Sequence, residues 1–195
     1  MGNTKEEILT VAVHLFARDG YEAVSVSRIA GELGMTKGAL YRHYQNKRDI
    51  FEHIVKRMEQ GDSEQAEKNN VPEEEMEKNP EKYQETTLKD FLEYSKSMFT
   101  YWTEDDFASS FRKMLTLEQF RNEEMQGLYQ QYLASGPVEY VKDLFRNMDI
   151  VDADYKAVRF YAIMYLYYSI YDEAQDKKKV IRQLETALNE MIKEF

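Results

Sequence analysis

The chain has 195 residues, 43% of them hydrophobic, with eight glycines, three prolines and a net charge of −10. This length and composition predict a globular, mainly helical protein with one or two domains and a sizeable core. Because there is no cysteine, a disulfide framework and a thiolate metal site are excluded. Residues 1–7 show no apolar signal-peptide segment, so the reducing cytoplasm is the expected compartment.

A first helix is predicted from Thr4 to Asp19, because apolar residues recur there at helical spacing and Gly20 follows. Its apolar stripe consists of Ile8, Ala12, Leu15 and Phe16. The next apolar residues, Tyr21, Val24 and Val26, are expected to lie between this helix and the elements that follow.

The stretch Ser25–Arg48 has the pattern of a helix-turn-helix. The inner face of its first helix would carry Ile29, Ala30 and Leu33. Gly34 suits the left-handed conformation that ends a helix, and Thr36 suits the N-cap of the second helix. Leu40 lies one turn later and can face the first helix. In such a unit, N-terminal residues of the second helix reach base edges in the major groove.

The charge of this stretch is +4, on a chain of net charge −10. The residues counted are Arg28, Lys37, Arg42, Lys47 and Arg48 against Glu32. Since Lys and Arg supply most non-specific DNA affinity by neutralising phosphates, this basic stretch indicates where nucleic acid would bind. The alternative is a helical hairpin whose charges are only solvated, because helix-turn-helix geometry also occurs in proteins that never contact DNA.

From Phe16 to Phe51 the chain resembles the TetR-type transcriptional repressors. The matching residues are Phe16, Gly20, Tyr21, Val24, Ser25, Val26, Ile29, Ala30, Gly34, Met35, Thr36, Gly38, Leu40, Tyr41, His43, Tyr44 and Lys47. At three positions the family more often has another residue: phenylalanine at Tyr44, serine at Asn46 and leucine at Ile50. The resemblance implies an all-α protein, with a three-helix DNA-binding domain followed by a helical ligand-binding and dimerisation domain.

We predict two sets of DNA contacts in this stretch. The groove would be met by Thr36, Lys37, Gly38 and Tyr41, with Gly38 allowing close approach of the backbone. Phosphates would be positioned by Ser25, Ser27, His43, Tyr44 and Lys47.

The predicted domain boundary divides residues 1–58 from residues 59–195. The first part holds nine basic and seven acidic residues, or +2, which leaves 17 and 29, or −12, for the remainder. The polar, acidic segment Glu59–Glu85 is expected to be a partly ordered loop, with a possible short helix starting at Pro72.

Amphipathic helices are predicted to resume at Thr86 or Thr87, where Asp90 can complete a capping box. A long helix is expected from Leu117 to Leu133, and the Ser135-Gly136-Pro137 sequence should interrupt the chain. The helices could enclose an aromatic and thioether cavity for an effector. Its predicted lining is Met98, Tyr101, Trp102, Phe111, Met114 and Tyr129. The alternative makes the same residues ordinary core, since aromatic and Met stripes at helical spacing usually reflect packing.

The last two helices carry the predicted dimer interface. Residues 158–171 are apolar nearly all round, and the final helix has an apolar seam at alternating spacings of three and four. The interface residues predicted are Tyr161, Tyr165, Tyr168, Ile181, Leu184, Leu188 and Met191. The family resemblance implies a four-helix interface between two subunits, and the alternative is a monomer with an apolar C-terminal hairpin.

No motif nominates a reaction, a cofactor or a metal: the three histidines are scattered and no phosphate-binding or nucleophile-elbow motif occurs. The resemblance to the TetR-type repressors instead implies a homodimer in the cytoplasm, associated with the nucleoid, that binds a palindromic operator and is released by an effector. Since the C-terminal part is acidic, this effector should be neutral or cationic and largely apolar. No membrane partner is expected. The alternative function is a helical adaptor with a non-functional helix-turn-helix.

Overall fold

The computed structural model describes residues 4–73 and 76–195, and within these ranges the regular secondary structure is entirely helical. The all-α prediction is therefore confirmed. The helices are α1 Thr4–Asp19, α2 Val26–Glu32, α3 Lys37–Leu40, α4 Lys47–Lys68, α5 Pro80–Glu85, α6 Leu88–Glu104, α7 Asp106–Glu118, α8 Glu123–Leu133, α9 Ser135–Asn147, α10 Ala153–Glu173 and α11 Lys177–Ile192. None of them is long and apolar enough to cross a membrane.

The chain divides into two compact units. The first contains residues 4–61 and 105–129, and the second contains residues 62–104 and 130–195, where described. Helix α7 and the first half of α8 therefore belong to the unit that carries the helix-turn-helix. The functional division at residue 58 stays a prediction, whereas the compact unit extends beyond it.

In the first unit, α1 packs against both α2 and α7. Its apolar stripe is fully buried, as the spacing predicts, and Ile8, Ala12 and Phe16 have no exposed surface. The predicted bounds of this helix are confirmed. The buried stripe fixes α1 as the support on which the helix-turn-helix rests.

In the second unit, α10 packs against α9, α11 and α6. Its core contains a group of edge-on and tilted rings: Phe91, Phe145 and Phe160 lie with centroids 4.8–5.9 Å apart. Phe195 joins this group through Phe145 at 5.0 Å. Aromatic residues thus bring α6, α9 and α10 together around one centre.

The predicted loop at Glu59–Glu85 was wrong in part. Helix α4 continues to Lys68, and a short helix begins at Pro80, where Asn79 accepts a hydrogen bond from the Lys82 N–H at 3.3 Å. Polar composition did not prevent helix formation, because glutamate, glutamine and lysine are good helix formers. The proposed helix start at Pro72 involves Glu74 and Glu75, which lie outside the described residues.

Two further helix starts, those of α8 and α6, are set by side-chain caps. The long helix expected from Leu117 to Leu133 is interrupted after Glu118, and Asn122 caps α8 by accepting the Glu124 N–H at 2.8 Å. The predicted capping box is confirmed, since Thr87 and Asp90 each accept the other's backbone N–H at 3.1–3.2 Å.

A break is present, but it lies just before the predicted Ser135-Gly136-Pro137 sequence: α8 ends at Leu133, Ala134 is non-helical, and residues 135–137 form the first turn of α9. Gly136 is required there: a Cβ atom at this position would lie 2.1 Å from the Gln131 carbonyl oxygen.

Candidate DNA-binding surface and ligand cavity

The turn between α1 and α2 is held by residues distant in sequence. Gly20 has φ +89°, and a Cβ atom there would lie 2.7 Å from Glu118 Oε1. That carboxylate, 2% exposed, accepts the Tyr21 backbone N–H at 3.0 Å and pairs with Arg121 at 3.2 Å. Glycine is needed at position 20 for both its conformation and the space it leaves.

Lys47 secures the same turn from the other side. Its ammonium donates to the Tyr21 carbonyl oxygen at 2.9 Å and lies 4.2 Å from the centroid of the Tyr21 ring. The ring in turn packs edge-on against Phe16 and Phe51, at 5.0 and 5.3 Å. The phosphate contact predicted for Lys47 remains a prediction, and the structure adds a structural role for its side chain.

The Thr36 cap and the Gly34 turn of the helix-turn-helix form as predicted, and Ser25 is the residue that caps α2. Ser25 accepts the Arg28 N–H and Thr36 accepts the Ala39 N–H, each at 3.2 Å. Gly34 has φ +64°, the left-handed conformation that ends α2. Leu40 is fully buried. Helix α3 has only four residues, followed by helical turns in which His43 N–H donates to the Leu40 carbonyl at 2.9 Å.

The predicted groove contacts lie together on the exposed side of α3. Thr36, Lys37, Gly38 and Tyr41 are all exposed, Tyr41 by 43%. The Lys37 ammonium lies 5.6 Å from the centroid of the Tyr41 ring. This is one continuous surface of backbone, cation and aromatic hydroxyl, suited to a groove of polar edges.

Some of the five cations counted in the basic stretch are already paired with carboxylates in the structure. Arg28 pairs with Asp19 at 2.9 Å, and Arg48 pairs with both Glu52 and Glu124. The hydrogen bond from Arg48 holds the pKa of the Glu124 carboxyl below its usual value.

Within residues 4–73 and 76–195, Lys37 and Arg42 form no ion pair, and both are exposed. Sequence reasoning left Arg42 out of the predicted contact set, because counting charges cannot show which cations are already neutralised.

The remaining predicted phosphate contacts differ in accessibility. Ser25 and Ser27 are exposed and His43 is half-buried. Tyr44 is only 3% exposed, and its hydroxyl donates to the Lys5 carbonyl oxygen at 3.3 Å. Burial raises the pKa of Tyr44 to about 12. The suggested phosphate contact of Tyr44 is therefore wrong for this conformation: its ring packs under the surface, where the commoner phenylalanine would also fit.

The predicted dimer interface requires a larger correction. Most of its residues are buried within a single chain, at 0–8% exposure, namely Tyr161, Tyr168, Leu184, Leu188 and Met191. Only Tyr165 and Ile181 retain accessible surface. An apolar stripe shows that a helix is covered but not by which neighbour. Here α11 packs its stripe against α10 and α6 of its own chain.

A different face of α10 remains uncovered. It is apolar, runs along the whole helix, and consists of Tyr155, Val158, Tyr165, Leu166 and Ile170, which are 41–64% exposed. We call this set the exposed α10 face. Successive members are three, seven, one and four residues apart, which at 3.6 residues per turn keeps the side chains on one side of the helix.

A cavity of about 360 Å³ lies within the second unit. Of the predicted ligand residues, Met98 and Trp102 line it. Phe111, Met114 and Tyr129 belong to the first unit and do not, and neither does Tyr101. The wall contains many aromatic side chains that the sequence analysis did not select, including Tyr94, Tyr132, Tyr140, Tyr161 and Tyr168. They come from helices α6, α8, α9 and α10, and periodicity alone does not show that these helices converge.

An acidic side chain stands in this wall. The Asp62 carboxylate accepts the indole N–H of Trp102 at 3.2 Å, and burial raises the pKa of Asp62 to about 7. No signal in the sequence singled out Asp62, because it lies in the acidic half of α4 among other polar residues. In the described part of the chain, no group of three or more side chains is arranged to hold a metal ion.

Comparison with known proteins places this geometry in context. Residues 8–54 match the model of the bacterial regulatory proteins of the tetR family. Over 51 residues the chain is 41% identical to the HTH-type transcriptional regulator AcrR of Shigella flexneri, covering 26% of this chain and 24% of that protein. The chain matches about a quarter of the length of its curated relatives.

Solved structures resemble the chain over nearly its full length. A transcriptional regulator of the TerR/AcrR family from Aquifex aeolicus VF5 has a TM-score of 0.72 and 17% identity, covering 96% of this chain and 98% of its own. SmeT in complex with triclosan has a TM-score of 0.71 and 17% identity, covering 97% and 90%. SmeT is the repressor of the Stenotrophomonas maltophilia multidrug efflux pump SmeDEF. At these identities the likeness shows a shared fold.

Proposed function

We propose that this chain, whose residues 8–54 form the N-terminal domain of the tetR family, is a sequence-specific DNA-binding transcriptional regulator. It acts as a homodimeric repressor that a small molecule releases from a palindromic operator. The observation that carries the proposal is the exposed surface of α3, where Thr36, Lys37, Gly38 and Tyr41 stand on a helix capped and supported for presentation.

The geometry of α3 supports base recognition. Its N-terminus is exposed, its cap is satisfied by Thr36, and Leu40 anchors it to the core. Lys37 and Gly38 occupy the first turn, the part of a recognition helix that reaches base edges. Arg42, at the far end, is placed for a phosphate, as are Ser25 and Ser27 at the start of α2.

A dimer is proposed through the exposed α10 face, which includes Tyr165 of the predicted interface, rather than through the predicted residues that are buried within the chain. Contiguous apolar surface of this kind marks interaction sites on proteins. A two-fold axis beside α10 would bring the same face of a second chain against it, as a self-complementary interface requires. The two copies of α3 in such a dimer would then contact the two half-sites of a palindrome.

Release by a small molecule is proposed from the cavity in the second unit. Its volume of about 360 Å³ falls within the usual range of about 300–1,000 Å³ for ligand pockets. SmeT, which shares the fold, was solved with triclosan. Helix α4 begins at Lys47 beside the α1–α2 turn and carries Asp62 of the cavity wall. A ligand in contact with Asp62 would therefore act on the same helix that holds this turn, and would shift the conformation of the helix-turn-helix.

The test is selection of DNA fragments from the source organism's genome by the purified chain, followed by measurement of affinity for the enriched site and for random DNA. Lys37→Ala should reduce the preference for the enriched site over random DNA by about 1–3 kcal/mol, if its amine reads a base. Lys89→Ala removes the same charge from an exposed position in α6 and should leave the preference unchanged.

Failure to enrich any site, with no DNA binding even at low salt, would instead favour a helical adaptor. Equal losses on both DNAs for Lys37→Ala would make Lys37 a phosphate contact only.

A further inference from the structure

The charged residues that line the cavity are all acidic. Asp62 and Glu73 contribute carboxyl groups, and no Lys, Arg or His is present among its described lining residues. An anion would therefore lose its hydration without gaining an opposite charge, which is expensive. A cation would instead be attracted by the carboxyl groups of Asp62 and Glu73.

Asp62 is only partly compensated inside the protein. One oxygen, Oδ1, accepts the Trp102 indole N–H at 3.2 Å. In the portion of the chain that the structure describes, the other oxygen receives no hydrogen bond and no Lys or Arg pairs with this carboxylate. Desolvation is the larger influence on this group, and it raises the pKa of Asp62 to about 7.

The rest of the wall presents aromatic rings. Trp102 and Tyr132 lie with centroids 5.9 Å apart. The hydroxyl of Tyr140 donates to the Pro72 carbonyl and that of Tyr161 to the Leu133 carbonyl, each at 2.9 Å. Because each of these hydroxyls already donates its proton to a backbone carbonyl, neither has a proton left to donate to an anion in the cavity. Ring faces attract cations, most strongly where water is excluded.

We propose that this cavity binds an organic monocation carrying apolar or aromatic groups, with Asp62 as its counter-charge. The Trp102 indole orients the carboxylate, and the surrounding tyrosine rings contact the substituents of the cation. Binding itself does not depend on the proposed repressor function; only the further step, release of DNA, rests on it.

The proposal has a pH dependence whose sign follows from the carboxyl group. Below pH 7 Asp62 is mostly protonated and neutral, and above it the carboxylate is available to a cation. Affinity for a permanent cation should therefore rise as pH rises from 6 to 8.

The other titratable groups in the wall are Glu73 and five tyrosines. Burial raises the pKa of both Tyr94 and Tyr140, so these two hydroxyls keep their protons over this range.

Three probes of one shape test the charge preference: benzyltrimethylammonium, its uncharged carbon analogue neopentylbenzene, and the anion phenylmethanesulfonate. Calorimetric titration gives affinities, and quenching of Trp102, the only tryptophan, reports occupation of the cavity. The cation should bind most tightly and the anion least. Equal affinity for the cation and the uncharged analogue, or preference for the anion, would overturn the proposal.

Asp62→Asn assigns the effect to one side chain, because the amide oxygen can still accept from Trp102 while the charge is lost. Affinity for benzyltrimethylammonium should fall about 10- to 100-fold and lose its pH dependence, while binding of the uncharged analogue is unchanged. Glu67→Gln, an exposed position on the same helix, removes an equal charge and should behave as wild type. The change in affinity for benzyltrimethylammonium caused by Glu73→Gln measures how much the second carboxyl group contributes. If Asp62→Asn did not fold, a flat wild-type pH profile would still overturn the proposal.

The outcomes separate this proposal from that of function. Cation binding by a chain that never binds DNA would leave the cavity assignment intact and overturn the repressor. Operator binding without any preference for the cation would overturn the cavity assignment and leave the proposed repressor function intact.

Discussion

At the scale of the residue, Lys47 has two different roles to consider, a contact with a DNA phosphate and a contact within the folded protein. In sequence it is a cation in the first turn of a helix, a typical phosphate contact. In the structure its ammonium holds the Tyr21 carbonyl at 2.9 Å and covers the Tyr21 ring. A contact of this kind stabilises the folded protein whether or not DNA is present.

Lys47→Ala is therefore expected to lower the free energy of unfolding by about 1–2 kcal/mol, because a hydrogen bond and a cation–π contact are lost together. Urea denaturation of the free protein measures this. Lys56→Ala, at an exposed position on the same helix, is the control and should change stability by less than about 0.5 kcal/mol. Equal stability of the two variants would mean that the Tyr21 contact contributes nothing.

Asp62 carries a second prediction at this scale. Its pKa is raised by burial from 3.8 to about 7, so the folded protein binds the proton more tightly than the unfolded chain does. The stability that this group contributes is greatest at low pH and is lost as pH rises towards 7. Asp62→Asn should therefore gain stability relative to wild type between pH 5 and pH 8, by on the order of 1–3 kcal/mol.

Thermal unfolding of both proteins at pH 5, 6, 7 and 8 tests this, with Glu67→Gln as the control for a lost charge. A constant difference between Asp62→Asn and wild type across this range would show that the carboxyl group is not strained by burial.

At the scale of the element, two of the three glycines in the helix-turn-helix have different tasks. Gly34 has φ +64° and open space around its Cβ position, so an alanine there would suffer only from the backbone conformation. Gly38 lies within α3, also with nothing within 4 Å of its Cβ position, and its φ lies outside the left-handed region.

Gly34→Ala should consequently cost about 1 kcal/mol of stability, because left-handed backbone is unfavourable for alanine. Gly38→Ala should be neutral or stabilising by up to about 1 kcal/mol, since alanine is the better helix former. If the backbone at Gly38 approaches a base, the same Gly38→Ala variant should nevertheless lose operator affinity. Chemical denaturation and operator titration of both variants test the pair, and unaltered affinity of Gly38→Ala would exclude a close approach there.

Elements with strong local signals could be predicted from sequence, and the contacts between them could not. The cap at Thr36 and the turn at Gly34 follow from the chemistry of neighbouring residues, and both are confirmed. The seam of α11 was also recognised, but it was assigned to a partner although Leu184 and Leu188 face the interior of their own chain. Periodicity gives the direction of a helical face and contains no information about what covers it.

The cavity shows the same limit. Trp102 and Met98 were selected as prominent residues on an apolar stripe, and both line it. Phe111 and Met114 were chosen for the same reason, yet they are fully buried in the first unit. Asp62 was missed because its importance comes from burial next to Trp102, 40 residues later in the chain.

At the scale of the whole molecule, the arrangement of charge affects how the chain would approach DNA. Lys37 in α3 and Arg42 in the turn that follows it are exposed, whereas Arg28 and Arg48 are engaged in ion pairs. Arg42→Ala should weaken binding to operator and random DNA alike, and should reduce the slope of log affinity against log salt by about 0.9 if it contacts one phosphate. Fluorescence anisotropy across a range of salt concentrations measures both effects, and an unchanged slope would place Arg42 away from the backbone.

Assembly is the last property that the revised surface predicts. The wild-type chain should sediment as a dimer of twice 23.2 kDa at micromolar concentration. Leu166→Glu places a charge on the exposed α10 face and should give a folded monomer, because the charge is solvated in the monomer and buried in the dimer. Leu184→Glu buries the same charge inside the chain and should unfold it, since Leu184 is 1% exposed. Gln183→Glu, at an exposed position of α11, is the control for an added charge. Sedimentation velocity with circular dichroism distinguishes these outcomes. A folded Leu166→Glu dimer would show that the interface is not the exposed α10 face, and a monomeric wild-type chain would exclude the dimer.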